Sequence, residues 1–275
     1  MSSSIALLMG SAGFAFGRRI KSVLSSARYV DKYWDNVTLL LTGDELADSS
    51  SYDRPLNVNN TFVNSSVKKF GSGSLSISPS NGITVSNTPD LLGDDYTVEF
   101  WFKANATTDP YATLFKIETL NGFGLACTRS GVYGSQFGDV VTNTDVSGYS
   151  IFGYGSNELQ AVFDDLKWHY IAISKLGQEL YLFIDGLTIG DTLKGITSFS
   201  VTSIQIGSGF STGFSGYIDD FRVTKNAARY TINFPVPAYA LPYVSKGPPF
   251  GRFMVDGATL VGFELNANMF MFMGY

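Results

Sequence analysis

Cysteine and histidine are nearly absent: Cys127 and His169 are the only ones among 275 residues. A lone cysteine excludes an intramolecular disulfide and any cysteine-based zinc cluster. A lone histidine excludes multi-histidine metal sites, and a Ser-His-Asp triad would have to use that one imidazole. Charge is sparse as well. Charged residues are 16% of the chain and the net charge is −5, so the chain as a whole is no polyanion binder. It carries no phosphate-binding loop, no dinucleotide fingerprint and no helical DNA-recognition motif, which argues against a nucleic-acid partner. What is plentiful is glycine (29 residues), aromatic side chains (15%) and hydrophobic residues (44%). That mixture excludes wholesale disorder and fits strands and turns better than helices. The length suits one large all-β domain with enough core to fold without staples.

The few charges are unevenly spread. Residues 1–30 contain Arg18, Arg19, Lys21 and Arg28 and no acid, a charge of +4; the other 245 residues carry 15 basic and 24 acidic groups, net −9. This is a basic arm on an acidic body. The arm opens with the apolar stretch 5–16, too short to span a bilayer at the ~20 residues usually needed. Its charges follow the apolar run, the reverse of a secretory signal. Left free in water it would expose Leu8, Phe14 and Phe16, so residues 1–35 are expected to pack on a partner. At the other end Pro235, Pro237, Pro242, Pro248 and Pro249 interrupt regular structure. A linker and two or three further strands are expected over 238–275. The apolar run 268–273 would need a cover, which makes 252–275 a second contact element.

Between these ends the period is two. Residues 97–104 alternate, with Val98, Phe100 and Phe102 on one face and Thr97, Glu99, Trp101 and Lys103 on the other. Trp168–Ser174 and Glu179–Ile184 are predicted strands around a turn at 176–178. Asp185-Gly186 predicts a type I′ hairpin into Leu187–Ile189, because that turn needs positive φ at both central positions. Simple alternation over Gly216–Thr224 places Asp219 with Tyr217, Phe221 and Val223, and Asp220 with Ile218 and Arg222. Ala227–Tyr230 reads as one helical turn.

Several stretches, in order, carry a family resemblance: Val37-Thr-Leu-Leu-Leu41 with Asp48-Ser-Ser50, Phe70-Gly-Ser-Gly-Ser-Leu75, Thr97-Val-Glu-Phe-Trp-Phe102, Trp168-His-Tyr-Ile-Ala172 and Leu182-Phe-Ile-Asp-Gly186. The most telling is Gly216-Tyr-Ile-Asp-Asp-Phe-Arg-Val-Thr224, running into Ala228-Arg-Tyr-Thr231 and Asn233-Phe-Pro235. Together residues 36–237 resemble a concanavalin A-like sandwich of the laminin-G-like type found in virion proteins of tailed phages. The resemblance implies an all-β jelly-roll sandwich of two antiparallel sheets, one of them concave. It implies glycan binding on the concave face or a rim in many members, a calcium ion near the first strand and the Asp-containing late strand in some, and glycosidase activity in others. In virions such domains serve as structural or adhesive modules, and the fold alone does not choose between these roles. The expectation is a virion structural protein with a lectin-like module displayed on capsid or tail in multiple copies. Residues 1–35 and 252–275 would join it to other virion proteins, and a host surface glycan would be its ligand. A free carbohydrate-binding module and a glycan depolymerase are the alternatives.

Glycosidases need two carboxylates at a defined separation. The Glu-x-Asp-x-x-Glu pattern of the glucanase relatives is absent: Glu99 stands alone in its strand, and Glu158 and Glu179 have no acid at the needed spacing. The expectation is therefore no enzyme and no required cofactor. Asp219, an acid among apolar neighbours, must be paired, metal-bound or bonded to backbone N–H groups. Two roles fit: fixing a neighbouring loop, or ligating a structural calcium with help from Asp44 or Asp48, backbone carbonyls supplying most of the six or more oxygens. Tyr133, Tyr149 and Tyr154 lie in glycine-rich loops and are the candidate glycan-binding residues. Packing their own loops, or a neighbouring subunit, is the other reading. Trp34, Trp101 and Trp168 read as core, His169 as a satisfied structural group and Cys127 as a small buried hydrophobe.

Overall fold

The computed structural model describes residues 31–241 except 80, 107–108, 110–111, 121, 130, 135–149, 153–156 and 210–212, together with the backbone of three strands between 253 and 273. The chain divides into two units, Asp35–Leu241 and a second made of residues 1–34 and 242–275. In the first unit the strands follow as β1 (Val37–Leu41), β2 (Asn57–Asn59), β3 (Phe62–Asn64), β4 (Ser74–Ile77), β5 (Gly82–Ser86), β6 (Tyr96–Ala104), β7 (Thr113–Thr119) and β8 (Gly122–Thr128). After them come β9 (Gly131–Gly134), β10 (Ser150–Phe152), helix α1 (Asn157–Asp164), β11 (Trp168–Leu176), β12 (Glu179–Ile184), β13 (Leu187–Thr188), β14 (Ser203–Ile206) and β15 (Gly216–Lys225). In the second unit β16 (Phe253–Val255), β17 (Ala258–Glu264) and β18 (Phe270–Met273) form an antiparallel three-stranded sheet.

The first unit is the expected sandwich of two antiparallel sheets. One sheet has the order β13-β12-β11-β6-β15-β4-β3, with β1 also on β15; the other runs β10-β9-β8-β7-β14-β5-β2. Alternation along β6 works as read from sequence: Val98, Phe100 and Phe102 are fully buried between the sheets. The Phe100 ring stacks on Phe221 at 5.1 Å and meets Phe115 edge-on at 5.9 Å, so three strands of both sheets share one aromatic contact. Cys127 sits fully buried in the same core. The Asp185-Gly186 hairpin forms with φ of 51° and 79° and pairs Ile184 with Leu187, as the primed turn requires.

The helical turn expected at Ala227–Tyr230 does not form, and α1 forms at 157–164. The reason at 227–230 is tertiary. The Ala227 carbonyl accepts from Thr97 Oγ1 and the Arg229 N–H donates to that same hydroxyl, so these backbone groups are spent on β6. In α1, Phe163 is driven into the core against Phe102 at 4.9 Å.

The chain leaving β15 then lies across the outer face of the first sheet as an irregular strap. Tyr230, Phe234 and Val236 pack on a second apolar cluster of Trp101, Tyr170, Ala172 and Phe183. Tyr230 and Phe234 stack at 3.5 Å, and the Phe234 N–H donates to the Gly186 carbonyl at 2.9 Å. Among the three tryptophans, Trp101 is buried here while Trp34 and Trp168 are half-buried, short of the core placement expected for them.

Candidate functional site

β15 changes partners halfway. Gly216–Ile218 pair with β4, and Phe221–Thr224 pair with β1. On its other side Asp219 faces Trp101 and Arg222 faces Glu99, so three steps on β15 oppose two on β6. The extra residue is a β-bulge, with Asp220 at a φ of 51°. The bulge corrects the simple alternation. Arg222 joins Asp219 on the outer face, while Phe221 and Val223 turn into the core. It also brings both acids to the gap between the end of β1 and the start of β4.

Two carboxylates hold the loop that enters β4. Asp219 Oδ2 accepts from the Lys69 and Phe70 N–H groups at 2.8 and 3.1 Å. Asp44 Oδ1 accepts from the N–H groups of Ser72 and Gly73 and from Ser72 Oγ. The glycines of Phe70-Gly-Ser-Gly-Ser74 are needed for this approach: a Cβ on Gly71 would lie 2.3 Å from Asp44 Oδ1. Asp48 serves a different loop. Its oxygens accept from the N–H groups of Leu40, Ser50 and Arg54, all at 2.9 Å, and from Ser50 Oγ. Thus Asp44 and Asp219 meet around one loop, and Asp48 is fully engaged in its own.

A calcium ion is implied by the family resemblance, and the site offers a partial donor set. Asp219 Oδ1 is buried without a hydrogen-bonding partner. Burial, together with the nearby Asp44 charge, pushes the Asp219 carboxyl up to about 6 despite its backbone bonds. A Cβ on Gly43 would lie 3.2 Å from both Asp219 Oδ1 and the Gly73 carbonyl oxygen, and one on Gly73 would lie 3.0 Å from the Gly43 carbonyl oxygen. The same Cβ positions would lie 2.8 Å from Ser74 Cα and 2.5 Å from Val63 Cγ1, so the two glycines mark close packing; what stands near the orphaned carboxylate oxygen is two carbonyls, hard oxygen donors of the kind calcium takes. Among the described residues no group of three or more His, Cys, Asp or Glu side chains forms a metal cluster, so backbone oxygens would carry most of the coordination.

Asp220 points elsewhere. Its Oδ2 accepts from the Leu241 N–H at 2.8 Å and pins the far end of the strap. Burial first, then the Asp219 charge, raises its carboxyl to about 8.

Next to this junction lies a buried ionic cluster that sequence reading missed. Glu99 is fully buried; its Oε1 accepts from Arg222 Nε at 2.8 Å and lies 3.3 Å from Arg229 Nε. Its Oε2 accepts from the Tyr170 hydroxyl and, at 2.8 Å, from the Tyr230 hydroxyl. Burial alone would raise the Glu99 pKa, but the two guanidiniums and two hydroxyls overcome it and hold the carboxyl below its ordinary value. The available signal was Glu99 alternating onto a face with Trp101, a charge that had to be paired. His169 is satisfied, as expected. Its ring nitrogens bond Asp185 Oδ2 at 2.7 Å and Asp165 Oδ1 at 2.9 Å, and these acids raise its pKa against the lowering effect of burial.

Of the candidate tyrosines, Tyr149 and Tyr154 lie outside the described residues, and Tyr133 is described only as a backbone position in β9.

This geometry can be set beside known proteins. A family model of the laminin-G type, described as the concanavalin A-like lectin/glucanases superfamily, matches residues 78–229. The chain belongs to that superfamily. Among solved structures it is similar to domain 4 of AbnA, a GH43 extracellular arabinanase from Geobacillus stearothermophilus, solved in complex with arabinotriose. That likeness has a TM-score of 0.54 and 16% identity over 70% of this chain and 94% of that one. It is also similar to the binding domain of botulinum neurotoxin serotype D/C, with a TM-score of 0.51 and 17% identity. The match covers 70% of this chain, which spans about half, 49%, of the toxin domain. At these identities the likeness is one of fold. A comparison with curated proteins gives no match.

Proposed function

We propose that this chain is a structural protein of a tailed-phage virion, displaying a lectin-like module on the particle as capsid decoration or tail-attached adhesin. The observation that carries this reading is the division of the chain. A sandwich of the lectin superfamily occupies Asp35–Leu241, while both chain ends, one of them basic and apolar, belong to a second unit with its own small sheet. Ends that are not part of the sandwich are available to hold it to a neighbour, by strand addition among other modes. The phage-like signature at 216–235 supports the same reading. It builds the bulge and the strap: Arg229 and Tyr230 reach Glu99, Asn233 accepts from Thr188, and Phe234 covers Tyr170.

In this reading the ligand is a host surface glycan, and multiple copies make weak contacts count through avidity. No catalytic step is involved, and Glu99, the one acid on β6, is committed to its ion pairs. Calcium would sit at Asp219 and Asp44 with the Gly43 and Gly73 carbonyls, neutralising the orphaned oxygen and tightening the loop. The test is light scattering on the full chain and on a form lacking residues 1–33, followed by incorporation of each into particles. Assembly of the full chain with a stable, unincorporated truncated monomer is expected. Normal incorporation of the truncated form overturns the anchoring role. Two well-behaved monomers that bind sugar favour the free carbohydrate-binding module.

A further inference from the structure

The strap covers only part of the outer face of the first sheet. Beyond it, the register aligns Phe62 on β3, Ser76 on β4, Tyr217 on β15, Lys103 on β6 and Trp168 on β11 as one row across five strands. Directly opposed residues on adjacent strands share a face. Trp168 packs against the outer-face cluster rather than the core, which fixes the side on which the row lies. All five side chains reach solvent: Phe62 is 56% exposed and the other four are half-buried. Three aromatic rings therefore stand on alternate strands, about 9.5 Å apart at the usual strand spacing. Between them stand a hydroxyl and an ammonium.

The row is also locally basic on an acidic protein. It contains no acid. Lys103 stands between Tyr217 and Trp168, and its ammonium uses one N–H on the Leu166 carbonyl at 2.6 Å, leaving others for a ligand. Lys69 lies one row away, 3.8 Å over the Trp101 ring, while the exposed Lys167 ammonium is paired with Asp165 at 3.2 Å. Of the neighbouring acids, Asp165 bonds His169 and Lys167, Asp185 bonds His169, and Asp219 is buried, with one oxygen on the Lys69 and Phe70 N–H groups.

We infer that this row binds an extended polysaccharide bearing carboxylates, laid across the strands. Phe62, Tyr217 and Trp168 stack on alternate sugar rings, Ser76 and the Tyr217 hydroxyl bond sugar hydroxyls, and Lys103 takes a carboxylate. Periodic rings suit a repeating chain rather than a globular partner, and the lysines make the repeat an acidic one. This rests on the carbohydrate-binding reading above and gives it a site and a ligand class.

The experiment is calorimetric titration of the full chain with polygalacturonate, hyaluronate and polysialate, and with two neutral polymers, fully methyl-esterified polygalacturonate and arabinan. Variants are Phe62→Ala, Tyr217→Ala and Lys103→Met, with Tyr239→Ala as an exposed aromatic outside the row. Melting temperature reports folding, and Phe62→Ala, at an exposed position, keeps the test valid where a half-buried variant unfolds. Expected is binding of at least one acid polymer that Phe62→Ala and Tyr217→Ala each weaken at least fivefold. Lys103→Met should erase the preference for acid over ester, and Tyr239→Ala should bind as the parent does. Acid polymers bound equally by the parent and all row variants overturn this site and leave the carbohydrate reading standing. Equal binding of acid and ester by the parent overturns the acidic ligand. No binding of any of the five polymers overturns the site and the carbohydrate reading together.

Discussion

Asp219 and Glu99 are both buried acids on the outer face of one sheet, and their surroundings treat them oppositely. Glu99 meets two guanidiniums and two hydroxyls, so its charge is stabilised. Asp219 meets backbone N–H groups on one oxygen, nothing on the other, and a second carboxylate nearby, so its charge is disfavoured. Replacing Glu99 with Gln should therefore be costly, about 3–5 kcal/mol, because it leaves buried guanidiniums without a counter-charge. Urea unfolding with an unchanged slope would measure this, and a loss below about 1 kcal/mol would remove the ion pairs from any stabilising role. At Asp219 the expected sign is set by calcium. Added calcium should raise the melting temperature of the parent and leave Asp219→Asn unmoved. A parent that does not respond has a loop-fixing acid only, held by its Lys69 and Phe70 bonds.

At the scale of the element, the strap depends on a turn far away in sequence. Gly186 has a φ of 79°, and a Cβ there would lie 2.0 Å from the Phe234 carbonyl oxygen. Gly186→Ala thus strains the hairpin and pushes the strap off its seat. The expected loss exceeds about 1 kcal/mol, with faster hydrogen exchange at Phe234 and Leu241 as the local readout. Protection at these amides equal to the parent would mean that the strap does not rest on this contact. The hairpin was legible because Asp-Gly between apolar runs has only one good geometry. The strap was not: its sequence reads as a proline-rich linker, and only the apolar outer face of β6, β11 and β12 gives Tyr230, Phe234 and Val236 somewhere to go.

For the whole molecule the buried acids set the pH response. Asp219 and Asp220, held at about 6 and about 8 against an ordinary 3.8, keep protons in the fold that the unfolded chain releases. Stability therefore falls as pH rises across this range. His169, raised above 6.5, works in the same direction, contributing below its unfolded pKa and losing that contribution as pH rises through the folded one. Glu99, lowered from 4.5, contributes above that value and is lost only as pH falls through its folded pKa. Melting in a chelating buffer should be highest in mildly acidic solution and decline toward pH of about 8. Asp220→Asn should flatten the decline; an equally steep decline in that variant would assign it to other groups. The core itself is less sensitive. Phe100→Ala should cost about 3–5 kcal/mol at any of these pH values, since it empties a site shared by both sheets.

The amino-acid sequence by itself determined the sandwich: alternation on β6, the turn at Asp185-Gly186 and the buried Cys127 follow from neighbours a few residues apart. It also marked Asp219 as an acid needing a partner. Tertiary structure alone decided which partner. The bulge that puts Arg222 beside Glu99 arises because β15 bridges from β4 to β1, a junction no local pattern encodes. The Arg222–Glu99 bond joins residues 123 apart, and the aromatic row joins five strands in register. Local propensity writes the strands, but contacts between distant strands are made only when two sheets close on one core and the stretch after β15 finds the face left over.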